Sequence, residues 1–326
     1  MATRTAMRLE GRVIAGVSAR VWLALSLVYV IWGSTYLAIR AAVTTMPPFL
    51  GAAVRFLTAG GVLFLWSIRR GERVADRPRL RQWSAATIAG GLMLMGANGG
   101  VMWAEQHIPI GVTALVIATV PLWMVVLGRV AFGDRITLRE VAGVLVGFAG
   151  LVLLVRVRGS DARALDIAGV AVALLAAVSW ATGSLYSRRA PLPRRPLVST
   201  AMQMLAGGTL LLITAAATGE FAEVHLAHIS PESWAGLAYL IVFGSWVAFS
   251  AYVWLLKNAR ISLVSTYAYV NPIVAVFLGW AILGERITWV TLLAGAVIVV
   301  AVALIVSAKK PAVAAPEPIP GRDREG

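Results

Sequence analysis

Arg55 stands alone in an apolar run, "PPFLGAAVRFLTAGGVLFLW", about seven residues in from Pro48. At 1.5 Å per helical residue that is roughly 10 Å below the end of the run. A charge at that depth in hydrocarbon is costly and marks a functional candidate by default. Arg55 could attract a carboxylate, or pair with Glu105 at the outer end of the third apolar run; it could equally be a snorkelling or carbonyl-bonded structural arginine. A second constellation is "NPIVAVFLGWAILGERIT", from Asn271, matched earlier by "VPLWMVVLGRVAFGDRIT", from Val120. Pro121 and Pro272 fall near the middle of their runs. A proline there frees the carbonyl one turn earlier and kinks the helix. At membrane depth that is tolerated where the carbonyl is buried in protein or lines a water-filled cavity. The two prolines read as hinges. Asn271 reads as a polar contact on a solute path, or as a bond to a neighbouring helix.

The deeper aromatic and amide residues form a third set: Trp32, Trp123, Trp180 and Trp246, with Tyr36, Tyr186, Tyr252, Tyr267, Tyr269, Asn98 and Gln203. Each by itself fits core packing. Together they would make an apolar-walled pocket with a few polar groups, suited to amphipathic or aromatic solutes. The other eight tryptophans fall near run ends, as an interfacial belt does. Catalytic chemistry finds no foothold. No Asp, Glu or His lies deep in a run, and the three histidines lie in loops, so the nucleophile–base or metal-ligand sets of a hydrolase are missing. The absence of cysteine excludes disulfides and thiolate metal sites. His225-x-x-His228, near Glu220, Glu223 and Glu232, has metal-like spacing, but such spacing is common by chance in polar loops. The expectation is a protein that is no enzyme, with no cofactor and no metal.

These residues need helices to hold them. The chain is 59% hydrophobic and 13% charged, against about 45–50% and about 25% for soluble chains. Apolar stretches of roughly 18–24 residues recur, each long enough to cross a bilayer and too continuous for barrel strands. Ten spans are expected: 21–39, 48–68, 83–103, 109–131, 138–157, 166–187, 197–217, 233–256, 261–283 and 289–307. The net charge of +14 could suggest nucleic acid, but no basic soluble domain exists to carry it. Topology explains it better. With a cytoplasmic N-terminus, twenty-three of the 29 Lys and Arg fall on the inner side and five on the outer, with Arg55 in between. That obeys the positive-inside rule and puts both termini in the cytoplasm. The Pro/Ala-rich tail reads as disordered.

The chain also repeats. At an offset of 151, Pro121, Val125 and Leu127-Gly128 meet Pro272, Val276 and Leu278-Gly279, and Gly133-Asp134-Arg135-Ile136-Thr137 meets Gly284-Glu285-Arg286-Ile287-Thr288. Near 148, Trp32, Leu37 and Arg40 meet Trp180, Leu185 and Arg188; at 147, Ala59-Gly60-Gly61 meets Ala206-Gly207-Gly208. The organisation is therefore a segment 1–20, a five-span repeat 21–160, a second repeat 161–308 and a tail 309–326. Five being odd, the second repeat enters the membrane inverted, a common construction of secondary transporters. Thr137 with Glu140 fits a capping box, and the glycines before the two turns permit tight hairpins. Gly143-x-x-x-Gly147 and the glycines of span three suit close helix contact.

"IWGSTYLAIR", "VRFLTAGG" and "YAYVNPIVAVFLGWAILGERIT", in this order and on an inverted ten-span frame, resemble the EamA-type branch of the drug/metabolite transporter (DMT) superfamily over about residues 20–308. The resemblance implies an all-α polytopic basket of ten helices around a central path, working without ATP to export or exchange small metabolites, amino acids or drugs. It points to Trp32-Gly33, Arg55, Glu105, Asn271-Pro272 and Glu285 as positions to test. A channel or a membrane-embedded enzyme is the alternative. The partners expected are a small-molecule solute, the bilayer and, in a homodimer, a second copy.

Overall fold

The computed structural model describes residues 18–69, 78–108, 113, 116–133, 137–157, 166–283 and 289–307. They are helical. In chain order the long elements are α1 (Ala19–Val43), α2 (Pro48–Arg69), α3 (Leu80–His107), α4 (Val120–Phe132), α5 (Leu138–Val157), α6 (Ile167–Arg189), α7 (Pro196–Ala217), α8 (Pro231–Asn258), α9 (Tyr267–Leu283) and α10 (Trp289–Ser307). Six of them, α1, α2, α3, α6, α7 and α8, are long and apolar enough to cross a membrane; shorter apolar helices include Val120–Ala131, Ile261–Val274 and Leu292–Ile305. Asp134, Glu285 and Arg286 lie outside the described residues.

The starts of these helices follow from local chemistry. The first N–H groups of a helix lack intrahelical partners and need a side-chain acceptor or a proline that has no N–H. Ser18 caps α1, Asp166 caps α6 through Ala168 and Gly169, and Ser230 caps α8 ahead of Pro231. Thr137 and Glu140 bond reciprocally at the start of α5, the expected capping box. Gly133 closes α4 in the left-handed region at φ 64°, where L side chains are disfavoured.

The main helix contacts recur when each helix is exchanged with the one five places later. α1 packs on α8 and α9, while α6 packs on α3 and α4; α2 lies along α7, and α5 along α10. The α2–α7 seam is reciprocal in detail. A Cβ on Gly60 would come 3.0 Å from the Leu205 nitrogen, and one on Gly208 would come 3.0 Å from the Leu57 nitrogen. These pairs are related by an offset of 148, so Gly60 corresponds to Gly208 rather than, as the sequence match at 147 had it, to Gly207. At the α5–α10 seam, Gly143 faces Ala301 and Ile305, and Gly150 faces Ile298. Small residues let backbones approach where dispersion drives association.

Two irregularities repeat as well. α3 widens to a π-helix over Gly91–Gly99, and α8 does so over Leu240–Phe249. Such stretches leave carbonyls poorly paired, and neighbours take them up. Asn98 donates to the Met93 carbonyl, Ser179 on α6 to the Leu92 carbonyl, and Trp32 on α1 to the Gly244 carbonyl at 3.4 Å. Sequence reading shortened both helices to 83–103 and 233–256 and foresaw neither π stretch.

The broken spans differ from expectation. Pro121 stands in the first turn of α4, just after a turn at Ala118–Thr119. A proline there loses no helical bond, so it does not kink a continuous helix. Pro272 does lie inside α9, but the chain has already broken six to seven residues earlier, at Ser265–Thr266 between the one-turn helix Ile261–Val264 and Tyr267. Hydroxyls satisfy the freed carbonyls: Thr119 donates to Val116, Ser265 to Ser262 and Thr266 to Leu263.

Candidate functional site

Between the halves lies a cavity with an empty volume of about 740 Å³, its mouth included. α1 contributes Trp32, Thr35, Tyr36 and Ile39, α2 Arg55 and Phe56, and α3 Leu94, Ala97, Asn98 and Val101. Ile117 and Val120 come from the region of α4, and α6 gives Ala176 and Trp180, α8 Gly244 and Phe249, and α9 Tyr267 and Asn271. The walls are aromatic and aliphatic with a few polar groups, the make-up of a small-molecule pocket.

The floor is an aromatic cluster. The Trp32 and Trp180 rings, the repeat-related pair, meet edge to face at 5.4 Å between centroids. Tyr252 and Tyr267 complete the cluster, 5.0 Å from Trp32 in each case. Trp180 Nε1 donates to the Tyr252 hydroxyl at 3.0 Å; that hydroxyl bonds Ser184 Oγ at 2.7 Å, and Ser184 donates back to the Trp180 carbonyl. On the far side of the floor Tyr29 and Thr266 share a hydrogen bond at 2.5 Å. Further along, Ser262 donates to a Glu140 carboxylate that also caps α5. α1, α6, α8, α9 and α5 are thus latched together at the end where α1 begins, and the cavity lies toward the end where α1 finishes.

Asn271 clamps α9 to α1. With its amide turned so that the NH2 group faces carbonyls, it donates to Tyr267 O at 3.0 Å and Tyr29 O at 3.2 Å. The close approach needs Gly33, because a Cβ there would sit 2.6 Å from Val274 Cβ. Gly33 therefore packs a continuous α1 against α9. Ser34 holds α1 to α8 by a hydrogen bond with Tyr239.

Arg55 is 5% exposed. Its Nε donates to Ser245 Oγ at 2.9 Å, and the guanidinium carbon lies 4.6 Å from the Phe56 ring centre. It is not paired with Glu105: no ion pair to Arg55 occurs among the described residues. Glu105 lies near Tyr36 outside the cavity lining, with one carboxylate oxygen buried and without a partner among the described residues.

Of the residues singled out from sequence, Trp32, Tyr36, Arg55, Asn98, Trp180, Tyr267 and Asn271 line the cavity, and Tyr252 backs its floor. The others are elsewhere. Trp123 bonds Thr119 in its own helix, Trp246 donates to the Ala59 carbonyl, and Gln203 is fully buried among Ser187 and Ser199 between α6 and α7. Tyr186 is half-buried on α6 away from the lining. Tyr269 packs on Gly147 and donates to the Val144 carbonyl. His225 and His228 stack on each other, and among the described residues no group of three His, Cys, Asp or Glu gathers as a metal site. Sequence reading passed over Gly244 and Ser245; the Gly-Ser pair inside "LIVFGSWVAF" was the available signal.

A repeated helical bundle enclosing a polar-studded aromatic cavity defines a membrane transporter architecture. The chain belongs to the EamA-like transporter family, within the drug/metabolite transporter superfamily; the family pattern matches residues 20–156 and again 167–307. It is 38% identical over 287 residues to the inner membrane transporter YedA of Escherichia coli (strain K12), covering 88% of this chain and 90% of that one. It is 31% identical over 291 residues to a protein of Streptantibioticus cattleyicolor named "Probable terminal-alkyne amino-acid exporter", covering 88% and 93%. A crystal structure 24% identical in sequence superposes with a TM-score of 0.72 over 88% of this chain and 96% of that one, a likeness of fold.

Proposed function

We propose that the protein is a secondary transporter that moves small amphipathic solutes across a bacterial cytoplasmic membrane by alternating access, as an exporter or exchanger. The observation that carries this is the cavity lined by both repeats, centred on the repeat-related pair Trp32 and Trp180. In this reading ten spans form two inverted repeats with both termini in the cytoplasm. The structure then faces outward: the aromatic floor, the Tyr29–Thr266 bond and the Glu140–Ser262 bond close the cytoplasmic side. Rocking one repeat against the other would break these bonds and close the opposite end. Glu105 is the carboxylate best placed to carry a coupling proton; without it the protein works as an exchanger. Purified protein in liposomes, loaded with amino acids, aromatic metabolites or cationic dyes, tests the reading. Solute-specific, saturable flux is expected; currents of single-channel size or hydrolysis of lipid or peptide would replace this reading with a channel or an enzyme.

A further inference from the structure

We infer that the cavity is built for solutes bearing a single carboxylate, with the carboxylate on the Arg55 guanidinium and the apolar body against the aromatic walls. This rests on the transport reading and names its substrate class.

The argument starts from what Arg55 lacks. A guanidinium carries five N–H donors and no acceptor and stays charged. Burying it is expensive unless an anion and hydrogen-bond acceptors replace its water. Here it receives one neutral acceptor, Ser245 Oγ at 2.9 Å, and the face of Phe56 at 4.6 Å. No described carboxylate pairs with it; Glu105 lies beside Tyr36 instead. The fold nonetheless makes room for the charge. A Cβ on Gly244 would meet the Arg55 terminal nitrogen at 2.9 Å, so the guanidinium end rests against the backbone of the α8 π-helix. The side chain is thus held from three sides, by Ser245, Phe56 and Gly244, while it lines the cavity.

What would complete it is a monoanion with two acceptor atoms, the geometry a guanidinium fork matches in a carboxylate. A dianion such as a phosphate monoester would leave one negative charge uncompensated in an apolar chamber, where unpaired charge is penalised. A cation would face Arg55 at close quarters. The rest of the lining suits the solute's body: Trp32, Trp180, Phe249 and Leu94 offer apolar surface, and Asn98 and Tyr36 give two polar points.

The test uses the purified full chain in detergent or nanodiscs and three probes of one shape: 3-phenylpropionate, its neutral amide 3-phenylpropionamide, and 3-phenylpropylamine. Binding is followed by calorimetry and thermal shift. The acid is expected to bind, the amide about tenfold or more weakly, as loss of a charged hydrogen-bond partner implies, and the amine not detectably. Arg55→Gln should bring the acid down to the level of the amide, and Arg55→Lys should keep a reduced preference for the acid. Equal binding of acid and amide to the unmodified protein, tighter binding of the amine, or no binding of the acid at millimolar concentration overturns the inference. These three results need no variant, so they decide the matter even if Arg55→Gln does not fold. Flux of the same probes into liposomes separates the two proposals. Protein-dependent flux of amide or amine, above that of protein-free liposomes, as fast as the acid's sinks the Arg55 assignment and leaves transport standing. Selective binding of the acid with no flux of any probe does the reverse.

Discussion

At the scale of single residues, two groups invite direct tests. Asn271 bonds two backbone carbonyls, one on its own helix and one on α1, at the place where Pro272 and Gly33 bring the helices together. Replacing it with alanine removes hydrogen bonds worth about 1 kcal/mol each in net stability. Asn271→Ala should therefore lower the melting temperature modestly and cut liposome flux by a larger factor, because the bond crosses the interface that rocks. Unchanged flux would reduce Asn271 to a packing residue. Glu105 has a buried carboxylate oxygen with no partner, a costly arrangement that a structural role does not explain. If it couples transport to protons, Glu105→Gln will abolish accumulation driven by a pH gradient while leaving counterflow exchange intact. Uphill flux in that variant would rule the coupling out.

At the scale of elements, the reciprocal α2–α7 seam makes a prediction with its own control. A Cβ at Gly60 would lie 2.9 Å from Met204 Cβ, whereas one at Gly61 meets nothing within 4 Å. Overpacking a tight seam costs about 1–3 kcal/mol, while alanine gains roughly 0.5–1 kcal/mol over glycine in a helix. Thermal unfolding should show Gly60→Ala and Gly208→Ala destabilised, and Gly61→Ala unchanged or slightly stabilised. The loop between α7 and α8 offers another. The Glu220 carboxylate accepts from the Phe49 and Leu50 amides at the start of α2. Burial, the largest influence, raises its pKa above the usual carboxylate range, against the pull of those amides. A group that holds its proton more tightly when folded stabilises at low pH and loses that contribution as pH rises through its raised pKa. Glu220→Gln should remove this loss, so the gap in melting temperature between variant and unmodified protein should shift in the variant's favour as pH rises above that range.

At the scale of the whole molecule, the inverted arrangement is testable because the chain has no cysteine of its own. Single cysteines at Thr44 and at Asn258, opposite ends of the bundle, should react with a membrane-impermeant maleimide from outside the cell and only after lysis, respectively. The opposite pattern, or equal access, would dismantle the proposed topology and with it the outward-facing assignment. Double electron–electron resonance between spin labels at Thr44, at the end of α1 in the first repeat, and Ile167, at the start of α6 in the second, should report a shorter distance when the outer end shuts.

Apolar length and the period of the repeat are properties of order along the chain, so they were legible without coordinates: membrane helices, two related halves, the capping box at Thr137 and Glu140, and an arginine set deep in an apolar run. Which polar side chains share a chamber is a property of direction. Each residue turns the side chain by about 100° around a helix axis, and the two π-helices shift that register part-way along α3 and α8. The same residue types therefore end in different places: Trp180 and Asn98 toward the cavity, Gln203 and Trp246 into helix seams. The break before α9 and the position of Pro121 in a first turn likewise depend on hydroxyls and neighbouring helices that satisfy the backbone. Composition and order fix what must be buried in lipid; only packing decides which face of each helix looks inward.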